Sequence, residues 1–404
     1  MKIFRFSRET IFLFAILALA LFLRLWGYGF GLPYLYHADE PIVVNHALAY
    51  GTGDLNPHFF KIPPLVSYLL FMCYGLYFTI GRGVGLFHFV RDFENLFYFD
   101  PSSFYLIARL VFGVCLGTLT VYLLYRTVKR FWGGQAALWT SFFLAVNFLH
   151  VRDSHYIYAD IPLVWVLLAG MAVILKTEPE GSQPRMTNIP WGHLFIGGLI
   201  GLATAVKYNG AFLAIPYLWM CLRNISWKKW PLCWFFAGIG AWVTFGVLNP
   251  FAVLDHTFFL MEITAQSTAN SGGFSWLHHL TYSLAGGMGW PMLILALLGT
   301  SRALFGKDRR SQTLAVFVVG YYAVLCRFGQ PFDRYVLPLI PFMLILASEI
   351  LLRLKARSRL IFWVVLPFVV LPSILKVVHW DRLMSQPDAR TVAKEWVETH
   401  LPGK

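Results

Sequence analysis

The stretch IPPLVSYLLFMCYGLYFTI, residues 62–80, decides how this chain is threaded. Its 19 largely apolar residues are enough to cross a bilayer as a helix. The paired prolines at its start suit a first helical turn. Similar apolar runs recur from end to end of the 404 residues, of which 58% are hydrophobic and only 13% charged, with a mean hydropathy of +0.61. Soluble domains carry about a quarter charged residues. Runs of this length predict membrane-spanning helices, not the alternating strands of a β-barrel.

Charge placement argues that residues 62–80 do not cross. Six segments between apolar runs carry basic clusters: the N-terminus (Lys2, Arg5, Arg8), Arg126/Lys129/Arg130, Lys176/Arg185, Arg223/Lys228/Lys229, Arg302/Lys307/Arg309/Arg310 and Arg353/Lys355/Arg357/Arg359. These hold 19 of the 33 lysines and arginines, and only five of the 20 acids share their side. Such asymmetry marks the cytoplasmic face and accounts for the net charge of +13 with no nucleic-acid partner. If residues 62–80 crossed, Arg126 to Arg130 would lie outside and each later loop would alternate wrongly. Every cluster falls correctly if that stretch re-enters or lies on the surface within one long external loop, residues 28–103.

This threading gives eleven spans, near residues 10–27, 104–126, 135–149, 161–175, 191–206, 210–223, 231–249, 282–301, 312–327, 335–352 and 360–378. The expected fold is an all-α polytopic membrane protein, N-terminus cytoplasmic and C-terminus external. Residues 1–380 form the membrane domain, and 381–404 an external tail that could open a further soluble domain. Within the tail, Ala389, Val392, Ala393, Trp396 and Val397 predict one face of a short helix. The first run continues past Ala18 and Ala20 and is read as a retained helix, not a cleaved signal. Five scattered cysteines without CxxC spacing predict neither disulfides nor a zinc site.

Four external segments, residues 28–103, 150–160, 250–281 and 328–334, then share one side with the turn at Lys207. In YHADEP, residues 36–41, Asp39 and Glu40 point in different directions on any regular backbone, so one could face a reacting hydroxyl while the other holds a cation or backbone donors. A solvated loop is the bland alternative. In HFFKIPPL, residues 58–65, Lys61 would lie at headgroup depth, either meeting a phosphate or snorkelling. In HVRDSHYIYADIPL, residues 150–163, Asp160 can cap a helix, and Asp153 beside Arg152 reads as a surface ion pair. Lys207 stands in TAVKYNG, and Arg334 and Tyr335 in GQPFDRYVLPLIPF. Lys61, Lys207 and Arg334 could ring one anionic headgroup. His37, His58, His150 and His155 lack metal-ligand spacing and are assigned to polar surface. STANSGGFSW, residues 267–276, could be a mobile lid or an ordinary loop.

In their order, DE after the first helix, K-x-PPL, SHYIYADIPL, VKYNG and DRYVLPLIPF resemble the polytopic GT-C glycosyltransferases, above all the dolichyl-phosphate-mannose protein mannosyltransferases and the lipid A aminoarabinose transferases. The resemblance runs from residue 1 to about 400. It implies a GT-C fold whose long first external loop contains juxtamembrane helices. It also implies transfer of a sugar from a polyprenyl phosphate to an acceptor hydroxyl of a lipid, glycan or protein, on the external face of a bacterial inner membrane. On that basis Asp39 is the general base with Glu40 as its neighbour, Asp160 is the aspartate of the D-x-PL pattern, and Lys61 is the cation before PPL. Ile62 departs from the commoner K-P-P-L. Tyr335, preceded by Arg334, matches the Y-x-LP motif.

Such chemistry needs cations to stabilise the leaving phosphate and a carboxylate to activate the hydroxyl. One base and no enzyme nucleophile imply inversion. Asp39, Glu40 and Asp160 could gather a divalent cation through oxygen, although the mannosyltransferase-like branch generally does without one. Two other classes stay open: a polyprenyl-lipid transporter, which would favour midplane acids and internal repeats, and a noncatalytic membrane subunit.

Overall fold

The computed structural model describes residues 7–178, 190–269 and 273–401. Lys2, Arg5, Glu180, Arg185 and part of the proposed lid at 267–276 lie outside the described residues. Among those described the chain is helical, with no strand. The helices are α1 (Arg8–Leu25), α2 (Glu40–Ala49), α3 (Leu65–Gly83), α4 (Val90–Phe99), α5 (Ser102–Trp132), α6 (Gly134–Ala145), α7 (Phe148–Asp153), α8 (Asp160–Thr177) and α9 (Pro190–Val206). They continue as α10 (Ala214–Asn224), α11 (Trp230–Leu248), α12 (His256–Ala269), α13 (Trp290–Phe305), α14 (Arg309–Leu325), α15 (Ile340–Arg357), α16 (Arg359–Met384) and α17 (Ala389–His400). Prolines start them where the missing N–H costs nothing: Pro41, Pro231, Pro291 and Pro341 all sit in first turns.

The eleven expected spans fall on helical segments, but 282–301 runs across a bend and 135–149 across the break between α6 and α7. Among the described residues, length and apolarity alone qualify six helices to cross a membrane, or up to seven if one pair bent by 115°, Trp276–Met288 with Trp290–Phe305, counts as one span. The count of eleven is therefore not reached on that criterion, because helices such as α6 and α10, at 12 and 11 residues, are too short.

Helix α3 is among the six, yet its middle lies beside the start of α5, where Tyr74 Oη donates to the Phe104 carbonyl at 3.1 Å. Tyr74 and Tyr77 pack edge-on against Phe104. Five residues beyond Phe104, Arg109 meets Glu40 at the start of α2. Helix α3 thus lies near the level at which α2 and α5 begin.

Two spans form the centre. About 72% of the α8 span and 78% of the span from Asp333 to Arg357 are buried, against 17% for the span containing α11. The starts of these two central spans carry Asp160 and Arg334. Helix α5 is α-helical at both ends with a π-helical stretch, Arg109–Cys115, between them. It accepts the 150–160 loop at very short range: a Cβ on Gly113 would stand 2.2 Å from the Ser154 carbonyl oxygen, and one on Gly117 2.5 Å from Ser154 Oγ. Only glycine lets this loop seat against the helix.

Candidate active site

Asp39 directly precedes α2 and Glu40 is its first residue, so the two side chains diverge. The Asp39 carboxylate accepts a hydrogen bond from Arg334 Nη1. Glu40 turns inward and is 1% exposed; Arg109 Nε and Nη2 donate to its two oxygens at 2.8 and 2.6 Å, and the Ile157 N–H adds a third bond at 3.0 Å. Arg109 Nη1 is also taken, donating to the Tyr28 and Phe30 carbonyls at 2.9 Å. Glu40 is thereby a positioning residue that ties the first loop to α5 and to the 150–160 loop.

Asp160 opens α8, but its side chain makes no capping bond. Its Oδ1 instead accepts from Lys207 Nζ at 2.6 Å, across 47 residues, and its buried Oδ2 has no partner among the described residues. Lys207 is held there by a tight turn in which Gly210 folds onto the Ala203 carbonyl oxygen, 2.1 Å from where a Cβ would stand. Its ammonium lies 5.4 and 5.3 Å from the Tyr158 and Tyr335 rings. The Arg334 guanidinium stacks 4.7 Å over Tyr158. Both cations thus face aromatic rings, which attract positive charge.

Asp160, Lys207, Arg334, Tyr158 and Tyr335 border two cavities; Asp39 lines neither and is tied to them through Arg334. The larger, about 640 Å³, is lined by Lys61, Lys207, Arg327, Arg334 and Tyr335 and by a mainly apolar remainder that includes Phe245, Phe259, Ile263, Val324, Leu325 and Phe328. The smaller, about 190 Å³, is lined by the charged and polar side chains His37, Arg152, Asp153, Tyr156, Tyr158, Asp160 and Arg334 together with Ile161 and Trp380. Arg334 and Tyr158 belong to both. Five buried polar atoms on the residues around the small cavity lack partners among the described residues: His37 Nδ1, Asp153 Oδ2, Asp160 Oδ2, Arg334 Nε and Trp380 Nε1. Unpaired buried polar atoms are costly, so a wall carrying five suits a small ligand rich in hydroxyls.

Burial shifts three of the groups that line the small cavity. It raises the Asp153 carboxyl against the opposing pull of Arg152. It also raises the Tyr158 phenol, against the field of Arg334, and lowers the His37 imidazole, against Glu40 and Asp39.

Several expectations change. Arg152 and Asp153 are not a surface pair: Arg152 Nε donates to Asp153 Oδ1 at 2.8 Å with side chains 19% and 10% exposed, and Arg152 also reaches Asp333 at 3.4 Å. His150 and His155 are internal, because Arg24, itself buried in α1, donates to His150 Nδ1 at 2.8 Å while His155 Nε2 faces the Trp26 carbonyl at 3.0 Å. His58 is exposed and paired with Asp54. Asp39, Glu40 and Asp160 are each engaged by a different basic side chain, Arg334, Arg109 and Lys207. Among the described residues no group of three or more His, Cys, Asp or Glu could hold a metal ion. Sequence reasoning missed Arg109. An arginine inside an apolar run demands a partner, and that was its signal.

A family profile described as dolichyl-phosphate-mannose-protein mannosyltransferase matches residues 58–266, more than half of the chain. The chain is 30% identical over 186 residues to dolichyl-phosphate-mannose–protein mannosyltransferase 1 of Saccharomyces cerevisiae, a match covering 45% of this chain and 20% of that protein. In structure it is similar to ArnT of Cupriavidus metallidurans bound to undecaprenyl phosphate, with a TM-score of 0.62 and 16% identity over 89% of this chain and 63% of that one. It is likewise similar to the Archaeoglobus fulgidus oligosaccharyltransferase AglB in complex with an inhibitory peptide and a dolichol-phosphate, with a TM-score of 0.61 and 12% identity over 97% and 58%. This chain therefore spans about a fifth of the yeast relative and about three fifths of each solved structure. The shared fold is the GT-C type of integral membrane protein.

Proposed function

The chain belongs to the dolichyl-phosphate-mannose-protein mannosyltransferase family, and on that premise we propose that it is an inverting glycosyltransferase drawing its sugar from a polyprenyl phosphate. One observation supports the reading: Arg334, held by Asp39 from 295 positions away, lines two cavities together with Tyr158, one of them also lined by Lys61 and Lys207 and the other by Asp160. The isoprenoid chain lies along the apolar wall, the phosphate meets Lys61, Lys207 and Arg334, and Tyr335 borders it. The sugar takes the small cavity. Residues 1–380 make up this catalytic membrane domain and 381–404 its tail.

Arg334 links the two halves of the reaction. Without donor it is held by Asp39. An arriving phosphate competes for the guanidinium, and as Arg334 turns to it the Asp39 carboxylate is left to accept a proton. The acceptor hydroxyl oxygen then attacks the anomeric carbon, the bond from that carbon to the phosphate oxygen breaks, and Asp39 takes the hydroxyl proton. Lys207 and Arg334 stabilise the leaving phosphate's charge. Asp160 keeps Lys207 in place. Attack opposite the leaving group inverts the anomeric centre.

The basic clusters favour an N-terminus in the cytoplasm and a site facing outward, in a bacterial inner membrane. The acceptor is a lipid, glycan or protein hydroxyl. The test is a transfer assay with purified protein across a panel of polyprenyl-phosphate sugars, run with and without chelator. Transfer with inverted product and loss of turnover in Asp39→Asn is the expected result. Turnover that requires an added divalent ion would put a metal into the reaction, and no transfer from any donor would refute the reading.

A further inference from the structure

Phe60 directly precedes Lys61 and is fully buried. Its ring packs edge-on against Phe258 and Phe259 of α12, at 6.0 and 5.5 Å between centroids. Both of its backbone polar groups are taken. The N–H donates to the Glu262 carboxylate of α12, and the carbonyl accepts from Tyr208 Oη at 2.6 Å, one residue beyond Lys207. Four residues upstream, Asn56 Nδ2 donates to Asp255 Oδ2 at 3.0 Å, just before α12. Between these ties His58 holds a left-handed backbone, φ +46°, a conformation uncommon for a residue with a Cβ.

Lys61 itself has no carboxylate partner among the described residues. Its ammonium lies 5.9 Å from the Phe59 ring. The position of that ammonium therefore depends on the backbone that carries it, and that backbone is fixed from α12. The same helix supplies Phe259, Ile263, Gln266 and Ser267 to the wall of the large cavity, while Glu262 points away from the cavity to the loop.

From this we infer that Glu262 is a positioning residue that latches the Lys61 loop to α12, so that the cavity wall and the phosphate-binding cation are set in place together. The inference rests on the proposed transfer reaction for its effect on the donor, but the latch can be measured without any donor. Carboxylate bonds to a backbone N–H are among the stronger kinds, and losing one to the loop that carries Lys61 loosens the cation.

The first arm needs only the folded protein. A spin label at Lys61→Cys, with Cys73 and Cys115 replaced by alanine, gains mobility when Glu262→Ala is added and recovers with Glu262→Gln, which keeps an acceptor oxygen. The second arm measures undecaprenyl phosphate binding and donor kinetics. Glu262→Ala weakens binding and raises donor KM about 10-fold, with kcat falling less than KM rises. Adding Glu262→Ala to Lys61→Ala costs no further affinity, since both act through one ammonium. Unchanged label mobility overturns the latch. So does a double variant in which the two losses add. A mobile label with wild-type protein that binds no undecaprenyl phosphate keeps the latch and refutes the donor reading.

Discussion

Asp39 and Glu40 are neighbours in the chain whose ion pairs have opposite surroundings. The Asp39–Arg334 pair is 26% and 21% exposed, and its arginine borders both cavities. The Glu40–Arg109 pair is sealed at 1% and 0%, and Glu40 accepts a third bond from the backbone. The open pair keeps bonding capacity that a ligand can use, because Arg334 Nε has no partner among the described residues. The sealed pair has its capacity taken up in joining loops. Adjacent carboxylates thus separate into a group available for chemistry and a group that holds the frame.

The sharpest way to break this comparison is Asp39→Asn. It should lower transfer by about 10²- to 10⁴-fold, the usual contribution of a positioned base, while thermal unfolding moves little, as the pair is partly open. Glu40→Gln should do the reverse, costing about 3–5 kcal/mol of stability because Arg109 is left as an uncompensated buried charge. Its measure is yield and thermal melting in detergent. Near-normal melting for Glu40→Gln, or collapse of Asp39→Asn, would invert the assignment.

Lys207→Met comes next. It removes a phosphate cation and also strands Asp160, so turnover should fall about 10- to 100-fold, on the scale of one lost charged hydrogen bond. A smaller effect comes from His37. Burial holds its imidazole below the ordinary value of 6.5, so the folded state favours the neutral ring. The stability this contributes is complete above about pH 6.5 and is lost as pH falls below it. Between about pH 7.5 and about pH 5.5 the wild-type melting temperature should drop more than that of His37→Gln. Equal drops would remove His37 from the account.

Much of this was legible in the chain. Apolar run length located helical segments along the whole chain, since a run of that length has few alternatives in a bilayer, but it did not show the breaks inside 135–149 and 282–301. The charge clusters predicted that the segments carrying Asp39, Asp160, Lys207 and Arg334 share one side, and these four residues lie together. Their pairing was less accessible. Lys207 finds Asp160 across 47 residues and Arg109 finds Glu40 across 69, distances over which no local periodicity operates. Asp160 read as a cap because capping is a local interaction, whereas the structure commits it to a distant lysine. His150 read as surface because its partner, Arg24, lies in the first helix.

The π-helical stretch in α5 works as a phase shifter. Each residue a helix takes up beyond its regular turn rotates the N-terminal part by about 100° relative to the C-terminal part. Here that offset lets one continuous rod aim Arg109 at the first loop and still offer Gly117 to Ser154. Removing a single residue between Arg109 and Cys115 would leave composition and hydropathy almost untouched, yet it would disengage the two ends from each other. Length in this short stretch should therefore be guarded more strictly than side-chain identity.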